Sequence, residues 1–139
     1  MSNSPVPMFI QTIKTWAYQI TNATGTTIET LVTAGVNGSK VEAVNISNTD
    51  TVAHTLSLYI NDGTTNHLFA TISIPASAGN ATGTPPVNVL ASANMSSLPY
   101  DANGNKFLYL KAGYALNIAI TAAATTGTLI DAVATGGDF

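Results

Sequence analysis

Residues 53–74 read AHTLSLYINDGTTNHLFATISI. Leu56, Leu58 and Ile60 fall on one parity, and Thr55, Ser57 and Tyr59 on the other. An apolar residue at every second position with a hydroxyl-rich opposite face is the pattern of a half-buried antiparallel strand. The Asn61-Asp62-Gly63 triplet follows, and these residue types tolerate the positive φ that tight turns need. Beyond it, Leu68, Ala70, Ile72 and Ile74 again share a parity until Pro75 ends the run, because proline cannot donate to a ladder. The stretch therefore predicts a β-hairpin with one buried face.

The same grammar extends to both sides. Strand-like runs appear at 14–21, 26–34, 40–48, 87–92, 107–113, 114–122 and 126–135, separated by segments such as TNATG (21–25) and GVNGS (35–39). In 40–48 the apolar parity switches between Val41/Ala43 and Val44/Ile46, which predicts a β-bulge. Residues 75–106 form a long irregular segment, in which 91–98 has the composition for one short helical turn. About eight antiparallel strands at short spacing indicate an all-β sandwich. A jelly-roll arrangement is expected first and an immunoglobulin-like sandwich second. Small residues at Ala43, Ala70, Ala119 and Ala132 are expected to face inward and let two sheets approach closely. Residues 1–13, with Pro5 and Pro7 and the apolar Val6, Met8, Phe9 and Ile10, read either as an arm along the domain edge or towards a neighbour, or as a frayed terminus. Residues 14–139 read as a single β-sandwich domain.

Composition narrows the function classes. Only 8% of the 139 residues are charged, against roughly 25% in an ordinary soluble domain, and Thr, Asn, Ser and Gly supply the polar surface. There is no cysteine, and a chain of this length can bury a core without disulfides. The net charge is −3; arginine is absent, and the lysines at 14, 40, 106 and 111 are scattered. Binding to nucleic acid or to an anionic membrane draws on clustered cations, so neither partner is expected. The opening residues lack the basic and apolar pattern of a secretory signal, and no run is long enough for a membrane-spanning helix.

Catalytic and metal-binding patterns are sparse. His54 and His67 flank the hairpin and are expected on its exposed polar face, with no further metal ligand at suitable spacing beside them. No serine occupies a G-x-S-x-G setting, and Glu29, Glu42, Asp101, Asp131 and Asp138 suggest no acid/base pair across a cleft. DANGN (101–105) has oxygen-bearing residues at alternate positions like the start of a calcium loop, but a later bidentate Glu is lacking; an Asx-rich turn accounts for it. No catalytic residue, metal or cofactor is expected. Trp16 and Tyr18 suit the packing of an edge strand or an interface.

Two stretches of the last third of the chain carry a resemblance. LKAGYALNIAI (110–120) is similar to an L-x-x-G-x-x-L-x-V hairpin, and the chain closes with TLIDAVATGGDF (128–139). With the apolar opening segment and the cysteine-free composition, these features resemble small virion proteins of tailed bacteriophages: capsid decoration or cement proteins and related neck or tail β-sandwich proteins. The resemblance implies a non-enzymatic role, with repeated copies in homo-oligomers bound to a major capsid or other virion protein on particles assembled in the host cytoplasm. Val6, Met8, Phe9, Ile10 and Trp16 are the expected interface residues. Two other readings compete: a carbohydrate-binding module for host-surface glycans using Trp16, Tyr18 and Tyr100, and a hydrolase housed in the 75–106 loop.

Overall fold

The computed structural model describes residues 9–90 and 95–139. Nine strands are present among them: β1 (Thr12–Ile20), β2 (Glu29–Thr33), β3 (Ser39–Asn48), β4 (His54–Asn61), β5 (Asn66–Ile74), β6 (Val87–Asn88), β7 (Leu108–Leu110), β8 (Ala115–Ile120) and β9 (Ile130–Asp138). The described residues contain no α-helix. Of the expected helical turn, 91–94 lie outside the described residues, and 95–98 form a tight turn closed by Leu98 N–H donating to the Met95 carbonyl.

The pairing is that of one long antiparallel hairpin folded over on itself. From the 61–66 turn outward, β4 pairs β5, β3 pairs β6 and β7, β2 pairs β8, and β1 pairs β9. The wrapped halves then interleave: β9 inserts between β1 and β3, and β8 between β2 and β4. The result is one sheet in the order β1-β9-β3-β6, with β7 also on β3, and a second in the order β2-β8-β4-β5. This strand order is that of a jelly-roll sandwich, the first of the two expected architectures.

Between the sheets lie Ile20, Ile46, Leu56, Leu58, Leu116, Ile118, Ile120 and Ile130, all at most 2% exposed. The central strand β9 contributes only Ala132 and Ala134 beside Ile130 on this face. Small residues there leave room for the branched side chains of the facing sheet, which is how interiors reach close packing.

The predicted bulge is present: the β3–β9 register shifts between Val41 and Ala43. It turns Val41, Val44 and Ile46 inward together and leaves Ala43 opposite Thr135 on the outer face. Ala43 is therefore not a core residue. Ala119 also lies opposite to expectation, pairing with Ser57 on the outer parity of its sheet, although its neighbours bury it. Ala132 faces inward as expected, and Ala70 is half-buried against the core. A second bulge, between Leu58 and Tyr59 in the β4–β5 ladder, places Leu68 opposite Tyr59. Leu68 is consequently exposed, and Phe69 takes an inward place against the core.

Candidate functional site

The sequence after Asp131 sets up one end of the first sheet. Gly136 and Gly137 stand where the bulged β3 and the start of β1 press on β9. A Cβ on Gly136 would fall on the Lys40 carbonyl oxygen, and one on Gly137 would collide with Ile10 Cγ2 and with the Thr12 carbonyl oxygen. The two glycines thus let β1 and β3 close on β9, and Ile10 lies half-buried over Gly137. Gln11 N–H donates to the Asp138 carbonyl at 2.8 Å, extending the β1–β9 ladder before Thr12. Asp138 is fixed by the Ser39 hydroxyl at 2.6 Å, with Lys14 Nζ 3.8 Å away.

Around this end several exposed side chains are apolar, standing among Lys14, Lys40 and Lys111. One cross-strand row runs Ile13, Gly137, Lys40, Tyr109. Ile13 is 87% exposed, and Phe9 and Tyr109 are also well exposed. Val36, 91% exposed, sits in the adjoining β2–β3 loop. The Phe139 ring stacks beside Tyr109 at 5.9 Å, and Tyr109 meets Phe107 edge-on at 5.0 Å. Tyr109, Leu110, Lys111, Ala112, Phe139, Asn37 and Gly38 line an open trough of about 620 Å³. Single exposed apolar residues are ordinary, whereas several gathered at one end of a sheet can serve as a contact surface.

Of the expected interface residues, Val6 and Met8 lie outside the described residues. Phe9 and Ile10 lie at this end of the sheet, and Phe9 is exposed. Trp16 is half-buried with Tyr18, both packed against the core on the inward parity of β1 that ends in Ile20. Among the described residues β1 is an edge strand, paired only with β9. Tyr100, the third aromatic of the glycan reading, is exposed on a different segment, where it bridges to Lys106.

The histidines correct a sequence expectation. His54 is not exposed but 6% accessible, and each histidine has a carboxylate partner. His54 Nε2–H donates to Asp50 Oδ2 at 2.9 Å, and His67 Nε2–H donates to Asp62 Oδ2 at 2.9 Å. Both carboxylates are consumed further by their loops. Asp50 also accepts the Thr125 N–H (2.9 Å), the Thr125 hydroxyl (3.0 Å) and the Val52 N–H (3.1 Å). The hydrogen bond from His54, then those from Thr125, hold its carboxyl well below the usual carboxylate range. Asp62 accepts from Thr64 and Thr65 inside the hairpin loop, and it too is held low, chiefly by His67. These pairs tie loops together: Asp50 joins the 48–54 turn to the 121–128 loop, and its own carbonyl receives Ser77 N–H from the 75–86 segment. The sequence signal was available in Asp50 and His54 at i, i+4, but the alternation of β4 gave no sign that a loop would cover its first residue.

DANGN behaves as an Asx turn. Asp101 Oδ1 accepts the N–H groups of Asn103 (2.9 Å) and Asn105 (3.0 Å). Among the described residues no three His, Asp or Glu side chains converge as a metal site would require. No family model matches the chain, and no curated protein is similar to it.

Proposed function

We propose that the chain is a structural protein of a tailed-phage particle, decorating or cementing the capsid through protein–protein contacts. The observation that carries this reading is the exposed apolar surface of Phe9, Ile13, Val36 and Tyr109 at the β9 end of the first sheet. It borders β1, an edge strand unpaired on one side among the described residues, and edge strands left open are templates for pairing with another chain. Low charge supports the reading, since repeated copies packed side by side accumulate little like-charge repulsion. The resemblance of 110–120 and 128–139 to small virion proteins supplies the particle. On this reading the partner is the major capsid protein or another virion protein, and copies of the chain associate symmetrically.

Immunogold labelling of intact particles from the source, with antibody raised against the purified chain, tests the assignment. Regularly spaced label on capsid, neck or tail is expected. Particles that carry no label while the protein stays in the soluble fraction would overturn it.

A further inference from the structure

A second concavity lies on the outer face of the first sheet, beside the aromatic row. Its volume is about 390 Å³, within the roughly 300–1,000 Å³ of small-ligand sites. The floor is Lys40, Glu42 and Ala43 of β3 with Thr135 of β9; Asn88 closes one side and the 101–107 loop overhangs the other. The β3 bulge creates this floor, because it turns Ala43 outward opposite Thr135 and leaves a shallow place between larger neighbours.

The overhanging wall is preorganised. Asp101 Oδ1 holds the backbone of Asn103 and Asn105, Asp101 and Asn105 also pair through their backbones, and Lys106 Nζ donates to the Met95 carbonyl. Lys40 Nζ is positioned 3.6 Å from Glu42 Oε1 and 4.4 Å above the Phe107 ring. A site held in shape before binding loses less entropy on occupation.

Its chemistry selects the ligand class. Lys40 and Lys106 balance Glu42 and Asp101, so a ligand of either charge would meet its own sign. Among the described residues, Asn88 Nδ2, the Asn105 side-chain amide and the Thr135 side-chain hydroxyl make no hydrogen bond within the protein, while Asn88 Oδ1 accepts from Leu90 N–H. Amides and hydroxyls beside a carboxylate and an ammonium offer alternating donors and acceptors. Vicinal hydroxyls of a pyranose present the same alternation, and Phe107 supplies an apolar edge for its C–H face.

We propose that this cleft binds a neutral saccharide, with Asn88, Asn105, Thr135 and Glu42 reading its hydroxyls beside Phe107. The inference does not rest on the virion assignment, and it uses none of Trp16, Tyr18 and Tyr100.

The test is a titration of the ¹⁵N-labelled full chain with methyl glycosides of glucose, galactose, mannose and N-acetylglucosamine, and with cellobiose and lactose. Adenosine and uridine form a parallel series. At least one sugar is expected to shift amides confined to residues 40–43, 88, 101–107 and 135. The double substitution Asn105→Ala/Thr135→Ala, in exposed positions, is expected to weaken that binding about tenfold or more with the thermal midpoint unchanged. Asn88→Ala, read separately, is expected to weaken it as well. The proposal fails if no sugar produces shifts, if the shifts map elsewhere, if the variants bind as the parent does, or if only the nucleosides bind.

Discussion

Asp50 is the side chain on which most of one end of the sandwich depends. It receives hydrogen bonds from His54, Thr125 and Val52, while its backbone receives Ser77 N–H and donates to Asn48 Oδ1. Because its carboxyl is held below the usual range, the native state binds fewer protons than the unfolded chain in acid. The stabilisation is therefore complete above the unfolded Asp value of about 3.9 and is lost as the pH falls further towards the folded one. Thermal melts between pH 7 and pH 2 should show the midpoint dropping below about pH 4. Asp50→Asn should lower the midpoint at pH 7 and flatten the acid limb; an unchanged acid limb in that variant would mean that Asp50 is not the group responsible. Asp62 contributes in the same direction but more weakly, since the His67 pair is open to solvent. Sequence reading saw both histidines but neither partnership. A carboxylate four or five residues away in a loop becomes a partner only once tertiary packing folds the loop back.

At the level of strands, the inward parity of Leu56 and Leu58 in β4, of Ile72 and Ile74 in β5 and of Leu116, Ile118 and Ile120 in β8 follows from the residues, Leu68 and Ala119 depart from it, and the switch of parity in 40–48 foretells the bulge in β3. The bulge in β5 left no comparable trace, because Leu68 and Phe69 are both apolar and either could face the core. Side-chain period two makes such a one-residue slip reverse every position beyond it, which is why Leu68 is found outside. The glycine pair of β9 is the other feature on which strand packing turns. Gly136→Ala would drive a methyl group into the Lys40 carbonyl, and because backbone lies on both sides the ladder must shift. A loss of about 2–3 kcal/mol is expected in urea unfolding. Gly25→Ala, in a turn at φ +58° with open space around it, should cost only about 1 kcal/mol. Equal losses for the two would show that β3 and β9 do not approach as described.

For the molecule as a whole, the wrapped hairpin accounts for where the candidate surfaces arise. Folding it over places the β2–β3 loop, the residues leading into β1, the end of β9 and the edge strand β7 at one end of the first sheet. Residues distant in sequence, Ile13 and Tyr109, thereby fall in one cross-strand row through Gly137 and Lys40, with Val36 in the β2–β3 loop. The sandwich class was legible from periodicity and turn residues, and Phe9 and Ile10 were legible as apolar residues near an edge. Ile13, Val36 and Tyr109 were not, because their exposure depends on which strands neighbour β9. The same limit hid the cleft proposed to take a saccharide, whose walls come from β3, β6, β9 and the 101–107 loop. On the proposed function, this end of the sheet is the attachment surface. Co-sedimentation of the purified chain with particles stripped of it, comparing the parent with Phe9→Ser/Ile13→Glu, tests this assignment. The account predicts saturable pelleting of the parent and binding weakened about a hundredfold in the variant, as loss of a central apolar anchor produces, with equal thermal midpoints. Equal pelleting of parent and variant, or a parent that remains in the supernatant, would contradict it.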